Sequence, residues 1–233
     1  MQRSFSSPAL VLRVRSSGES NREAVFLSAE EGIVSATLFG GPKSRLRSHV
    51  SPFNSGILFT YRDPAKDFRK VSDFDVESWR PGLRELYERS AEASRIAGTI
   101  LLGHGGGAAF GETYTLANKT LDALSSADEA CCERLFIYFM WNWAGILGNR
   151  SDLGRCAFCA CELPHDEVIW FIPGEGLLCK RCISNQEKKG QVLGPEARSW
   201  LLTAEKKSPP EISKILLDDE SLGELKILMK MLI

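Results

Sequence analysis

Histidine is scarce in this chain of 233 residues: there are three, His49, His104 and His165, and none stands in an arrangement with a nucleophile. A nucleophile activated by a neighbouring base needs such an arrangement, so the shortage points away from an enzyme of that kind. No run approaches eighteen consecutive apolar residues. The nearest, 135–147, is too short to cross a bilayer and reads as a buried helix. Residues 1–8 lack the unbroken apolar core of a signal peptide, so a reducing cytoplasm is the expected setting. There is no excess of one charge, the net value being -1, and neither an internal repeat nor a low-complexity tract. At 43% hydrophobic and 25% charged residues, the composition is that of a folded chain of one to three modest units.

Three catalytic motifs are approached and missed. Gly40-Gly41-Pro42-Lys43-Ser44 resembles the end of a phosphate-binding loop, but Pro42 stands where that motif needs glycine and removes a backbone donor. His104-Gly105-Gly106-Gly107 is like an esterase oxyanion loop, yet no G-x-S-x-G nucleophile elbow accompanies it, so it reads as an interhelical loop. His165-Asp166-Glu167 fits the H-x-E of zinc deaminases but follows the first cysteine pair, in the wrong order for that chemistry.

Against these absences stand four cysteines, Cys156, Cys159, Cys179 and Cys182, spaced C-x2-C, nineteen residues, C-x2-C. Each pair lets a tight turn aim two thiolates at one point, the pattern of a tetrahedral zinc site. Between them, 168–172, the turn Pro173-Gly174-Glu175-Gly176 and Leu177-Leu178 predict a hairpin that brings the pairs together. Four thiolates fill the coordination sphere, so one structural Zn2+ is expected, with no open position for substrate. Two disulfides or four unrelated thiols are the alternatives. Cys131 and Cys132 lie in an apolar helical stretch and read as core. Cys161 and His165 are rival ligands outside the paired turns.

The pattern along the chain predicts an α+β, multidomain protein: a five-stranded barrel over 1–78, a helical domain over 79–233, and a zinc ribbon or knuckle inserted at 150–185. Short β-rich segments fall at 10–14, 24–27, 33–39, 56–61 and 68–76, which fits an OB-fold, with an SH3-like barrel or a sandwich fragment giving nearly the same trace. Helical periodicity then covers 81–101, 112–125 and a run ending near 147 that is apolar on most sides, making it the expected centre of the helical domain. Further helices fit 195–204, 209–218 and 220–232, broken by Gly194-Pro195 and Pro209-Pro210.

Charge is uneven. Residues 1–72 hold eleven Lys or Arg against six Asp or Glu, and 32–62 contain Lys43, Arg45, Arg47 and Arg62 without an acidic side chain. A local positive field of this kind suits a polyanion. In an extended loop between the third and fourth strands, Lys43, Arg45 and Arg47 would alternate with Ser44, Leu46 and Ser48 and project to one side.

Several segments in order resemble the bacterial recombination mediator family RecO. They are 9–15, Gly18-Glu19, 26–34, the Gly40–Leu46 stretch followed by Ser51-Pro52-Phe53, the aromatic-rich 136–148, and the cysteine pairs with Gly176-Leu177-Leu178 before the second. The resemblance implies an OB-fold and non-catalytic work on DNA. That work is binding single and double strands, annealing complementary strands, and helping to load RecA, with RecR, onto strands coated by single-strand-binding protein. It implies a nucleoid-associated cytoplasmic protein and a helical domain that takes the acidic tail of single-strand-binding protein. The four cysteines occur in only some members and are complete here. An OB barrel binds single strands through cations on phosphates and aromatics on bases. The expected phosphate contacts are Lys43, Arg45 and Arg47, with Arg13, Arg15 and Arg62 behind them; Phe39, Phe53, Phe59 and Tyr61 are the stacking candidates. A zinc-ribbon protein adaptor and an RNA-binding OB protein are the competing readings.

Overall fold

The computed structural model describes residues 3–18, 20–40, 44–63, 65, 68–186 and 190–232. The chain forms two compact units, Met1–Glu129 and Ala130–Ile233.

In the first unit, β1 (Ser4–Ser17), β2 (Asn21–Ser28), β3 (Gly32–Leu38), β4 (Ser55–Asp63) and β5 (Phe68–Ser78) close into a barrel in the order β1-β2-β3-β5-β4. Neighbours are antiparallel except β3 and β5, which run parallel and pair through Thr37 and Lys70. That strand order, with a helix between β3 and β4, is the OB arrangement and settles the choice of barrel. Alternate residues fill the interior: Ala9, Val11, Ala24, Phe26, Val34, Ala36, Leu58 and Phe74 belong to one buried cluster. Phe26 and Phe74 meet edge-on at 5.9 Å.

β1 is longer than the expected 10–14 because it serves two partners, β4 along its first half and β2 along its second. A register shift between Val11 and Arg13 turns it from one to the other. Leu10, Leu12 and Leu27 are buried although they point away from the barrel interior. Helices α2 (Tyr87–Leu102) and α3 (Phe110–Leu124) pack on this side. Gly56 permits the close approach of β5, since a Cβ there would lie 1.9 Å from the Asp75 carbonyl oxygen.

The expected extended basic loop is not what forms. Ser44 precedes a short helix, α1 (Arg45–His49), whose Leu46 packs on the barrel core that includes Val50. A spacing of four residues suits both periodicities, and burying Leu46 together with Val50 favours the helical one. Residues two apart on a helix point about 200° apart, so Arg45 and Arg47 leave in opposite directions. Gly41, Pro42 and Lys43 lie outside the described residues.

One arginine ties the barrel to α3. Arg80 is buried, with its backbone in the left-handed region at φ 46°. Its guanidinium donates to the Asp122 carboxylate at 2.6 Å, the Phe53 carbonyl at 2.6 Å, the Ser55 hydroxyl at 3.1 Å and the Asn118 side-chain oxygen at 2.8 Å.

The second unit is built on α4 (Glu129–Ile146), whose 135–141 run is buried without interruption. Its polar atoms reach the helices around it: Trp141 Nε1 donates to Glu205 at 3.2 Å, Tyr138 to the Lys207 carbonyl at 3.2 Å, and Asn142 to the Ala204 carbonyl at 3.2 Å. The outer helices are α5 (Lys180–Ile183), α6 (Pro195–Ala204), α7 (Pro209–Ile212) and α8 (Asp219–Met231). The helix expected at 209–218 is the single turn α7, which a Ser208–Glu211 capping box starts. Three short strands, β6 (Ile169–Ile172), β7 (Gly176–Leu178) and β8 (Gln191–Leu193), form a sheet in the order β7-β6-β8.

Candidate functional site

The cysteine pairs meet as their spacing predicts. The β6–β7 hairpin pairs Trp170 with Leu178 and Ile172 with Gly176, which delivers Cys179 and Cys182 to the turn holding Cys156 and Cys159. That turn is held by the Ala157 N–H on the Leu177 carbonyl at 2.7 Å and the Ala160 N–H on the Cys156 carbonyl at 2.9 Å. Ala160 sits at φ 57°, which lets the chain double back. The four Sγ atoms all lie within 4.8 Å of one another, and Cys159 and Cys179 are 3.9 Å apart. Four sulfurs around one ion with Zn–S bonds of about 2.3 Å would stand roughly 3.8 Å apart. A disulfide would require about 2 Å, so neither disulfides nor scattered thiols describe this cluster. His165 and Cys161 are not members of the four-sulfur group.

The electrostatics of the donor set also fit a cation. Cys159 is pulled down to about 6, first by the backbone N–H of Cys161, then by the thiols of Cys161 and Cys182. Cys182 is pushed up to about 12, chiefly by desolvation and then by hydrogen bonds to its neighbours, and Cys161 to about 12, chiefly by its bond to Cys159. Protein groups alone therefore favour one thiolate at the expense of another, and a divalent ion is what allows four sulfurs at this spacing to be ionised together. The Arg181 guanidinium, hydrogen-bonded to the Cys159 sulfur, adds positive charge. Cys156, Cys159, Cys179 and Cys182 are thus the residues that would hold the metal, and its chemistry there would be cross-linking of the ribbon.

A buried arginine supports this ribbon from α6. Arg198, fully buried, donates to the carbonyls of Leu153 at 2.9 Å, Leu163 at 2.6 Å and Pro164. It fixes the chain on both sides of the first cysteine turn. The sequence gives no sign of it beyond an arginine in an otherwise apolar face of a helix.

On the barrel, the predicted cations have different surroundings. Arg13 and Arg15 point outward from β1, opposite Val25 and Glu23. Arg15 is exposed; Arg13 is half-buried, and its Nε has no hydrogen-bond partner among the described residues. Arg45 is exposed on α1, whereas Arg47 is half-buried and donates to the Ser20 carbonyl in the β1–β2 turn. Arg62, exposed on β4, stands directly opposite Arg69 on β5.

None of the four aromatic candidates is fully buried. Phe39 and Phe59 are exposed, and half-buried Tyr61 carries Lys70 over its ring at 5.2 Å with Arg3 on its hydroxyl at 3.3 Å. Phe53 is also half-buried, with its N–H bonded to the Val11 carbonyl and its own carbonyl holding Arg80. The sequence reading missed Arg69, Phe68 and Phe5. Phe68-Arg69-Lys70, an aromatic–basic run opening a strand, was the available signal.

A closed OB barrel with cations and aromatics on its wall, and a helical unit carrying a four-cysteine centre, define a two-unit OB protein with a zinc-type structural site. Comparison with known families is specific. The family model "Recombination protein O N terminal" matches residues 1–78 and "Recombination protein O C terminal" matches 84–233; the chain belongs to the RecO family. It is similar to the DNA repair protein RecO of Desulfitobacterium hafniense strain DCB-2, 27% identical over 184 residues, 76% of this chain and 64% of that protein. That of Pelotomaculum thermopropionicum is 29% identical over 182 residues, covering 77% and 69%. That of Solidesulfovibrio magneticus is 25% identical over 213 residues, covering 89% and 84%. The match thus spans about 64% of the length of the Desulfitobacterium relative. No helix among the described residues is long and apolar enough to cross a membrane.

Proposed function

We propose that this protein is a non-catalytic, DNA-binding recombination mediator acting in DNA repair in the cytoplasm. It binds single- and double-stranded DNA, anneals complementary strands, and with RecR helps to load RecA onto DNA coated by single-strand-binding protein, whose tail it also takes. Residues 1–78 are its nucleic-acid-binding domain, and Arg13, Arg15, Lys43, Arg45, Arg47 and Arg62 are phosphate contacts. The single observation that carries the reading is the closed OB barrel within a chain that the two RecO family models cover almost end to end.

Annealing follows from charge. Two strands repel through their phosphates, and a protein that covers part of that charge on each lets base pairing proceed without nucleotide hydrolysis. The deciding experiment is annealing of complementary oligonucleotides precoated with single-strand-binding protein, with no nucleotide present. Acceleration over the protein-free rate is expected; no acceleration, with no binding to bare DNA at low salt, defeats the proposal.

A further inference from the structure

On the N-terminal side of the Thr37–Lys70 pair, β3 and β5 part over a groove of about 360 Å³. Its lining includes Glu31, Ser35, Arg62, Phe68 and Arg69. Arg62 and Arg69 stand directly opposite each other across β4 and β5, which places two cations at one spot. Arg69 is answered from the β2–β3 turn: the Glu31 carboxylate accepts from its guanidinium at 2.6 Å. Behind this ion pair, Arg69 lies over the Phe5 ring at 5.7 Å, which fixes the guanidinium plane. Beside it, Phe68 meets Phe39 at 5.9 Å in a tilted pair, and Phe39 is 46% exposed. Arg69 and Phe68 line the same groove, and the Phe39 ring that pairs with Phe68 is partly open.

We propose that this groove is a nucleotide subsite for single-stranded DNA, with Arg69 and Arg62 taking a phosphodiester and the Phe39–Phe68 pair taking a base, and that Glu31 is a built-in competitor for Arg69. The proposal rests on the nucleic-acid-binding reading above and deepens it. A carboxylate presents two oxygens to a guanidinium much as a phosphate does, so the Glu31–Arg69 pair occupies the position the strand requires. Single strands are the fitting ligand because a duplex hides the faces of its bases, and a groove of this size accommodates about one nucleotide. Binding exchanges one ion pair for another, so the gain per nucleotide is small and the strand is easily released. That suits a protein that must let go once two strands have paired.

The test is fluorescence anisotropy with a labelled oligothymidylate of about twenty nucleotides over a salt series, using the full chain and melting curves to confirm folding. Glu31→Gln is expected to tighten binding about three- to tenfold at low salt with little change in the log affinity–log salt slope, since the bound state keeps the same phosphate contacts. Glu30→Gln, the same charge change one residue away, is expected to do markedly less. Arg69→Ala, or Arg62→Ala if the former does not fold, should weaken binding and flatten the slope. Phe68→Leu should weaken it between about fivefold and a hundredfold with the slope unchanged. If the wild type binds but Glu31→Gln equals Glu30→Gln or binds more weakly, the competitor role is overturned while DNA binding stands. If the Arg69 (or Arg62) and Phe68 variants bind like the wild type, the subsite is overturned. Failure of every form, wild type included, to bind at low salt sinks both this inference and the function it rests on.

Discussion

Two arginines carry more of the architecture than their charge suggests. Arg80 and Arg198 each spread one guanidinium over several acceptors, and each is buried. Removing either leaves buried acceptors without a donor, at a cost of about 3 kcal/mol or more. Arg198→Lys should not rescue Arg198→Ala, because an ammonium cannot reproduce the planar fork that three carbonyls share. Thermal melts check the stability change, and titration with Zn2+ should show weaker binding in both Arg198 variants, since the carbonyls they release flank the Cys156–Cys159 turn. The convergence of the four cysteines was legible from spacing alone, because two C-x2-C turns joined by a hairpin leave little freedom in where their sulfurs meet. The two arginines were not, since nothing in a linear pattern distinguishes a guanidinium facing inward from one facing solvent.

The zinc-type ribbon is a unit of three short strands and two sulfur-bearing turns, with Ile169, Phe171, Ile172, Leu177 and Leu178 buried beside the four sulfurs. Metal binding energy at such a site is folding energy. Chelation, verified by metal analysis, should lower the melting temperature and raise hydrogen exchange across 150–185; an unchanged melting curve would contradict a structural role. Helix α7 offers a separate check by pH. Its capping carboxylate, Glu211, is pulled from an ordinary 4.5 to about 2, first by the Ser208 hydroxyl, then by the Ser208 N–H and Lys207. A carboxyl depressed on folding contributes stability that is complete above its unfolded value and lost as pH falls toward 2. Acid titration should show that loss between about pH 4.5 and 2, and Glu211→Gln should remove it. Strand and helix order was readable from alternation and from Gly–Pro breaks. The helical form of 45–49 and the shortness of α7 were not, because each was decided by local burial or capping that competes with equal periodicities.

For the whole molecule, affinity for DNA should fall steeply with salt and depend little on sequence. Changing Lys43, Arg45 and Arg47 together to Ala should reduce the log–log salt slope for single strands by up to roughly 2. A smaller reduction would mean that Arg47 keeps its bond to the Ser20 carbonyl when the strand arrives. An unaltered slope would remove all three from the contact surface. The barrel's closure has a mechanical consequence. Four of the five joints around the cylinder are long ladders, while the fifth hangs on Thr37 and Lys70. A tube fastened so unevenly has its place of breathing chosen in advance: the facing edges of β3 and β5 should take up deuterium first, and the hoop should yield there before any other wall parts.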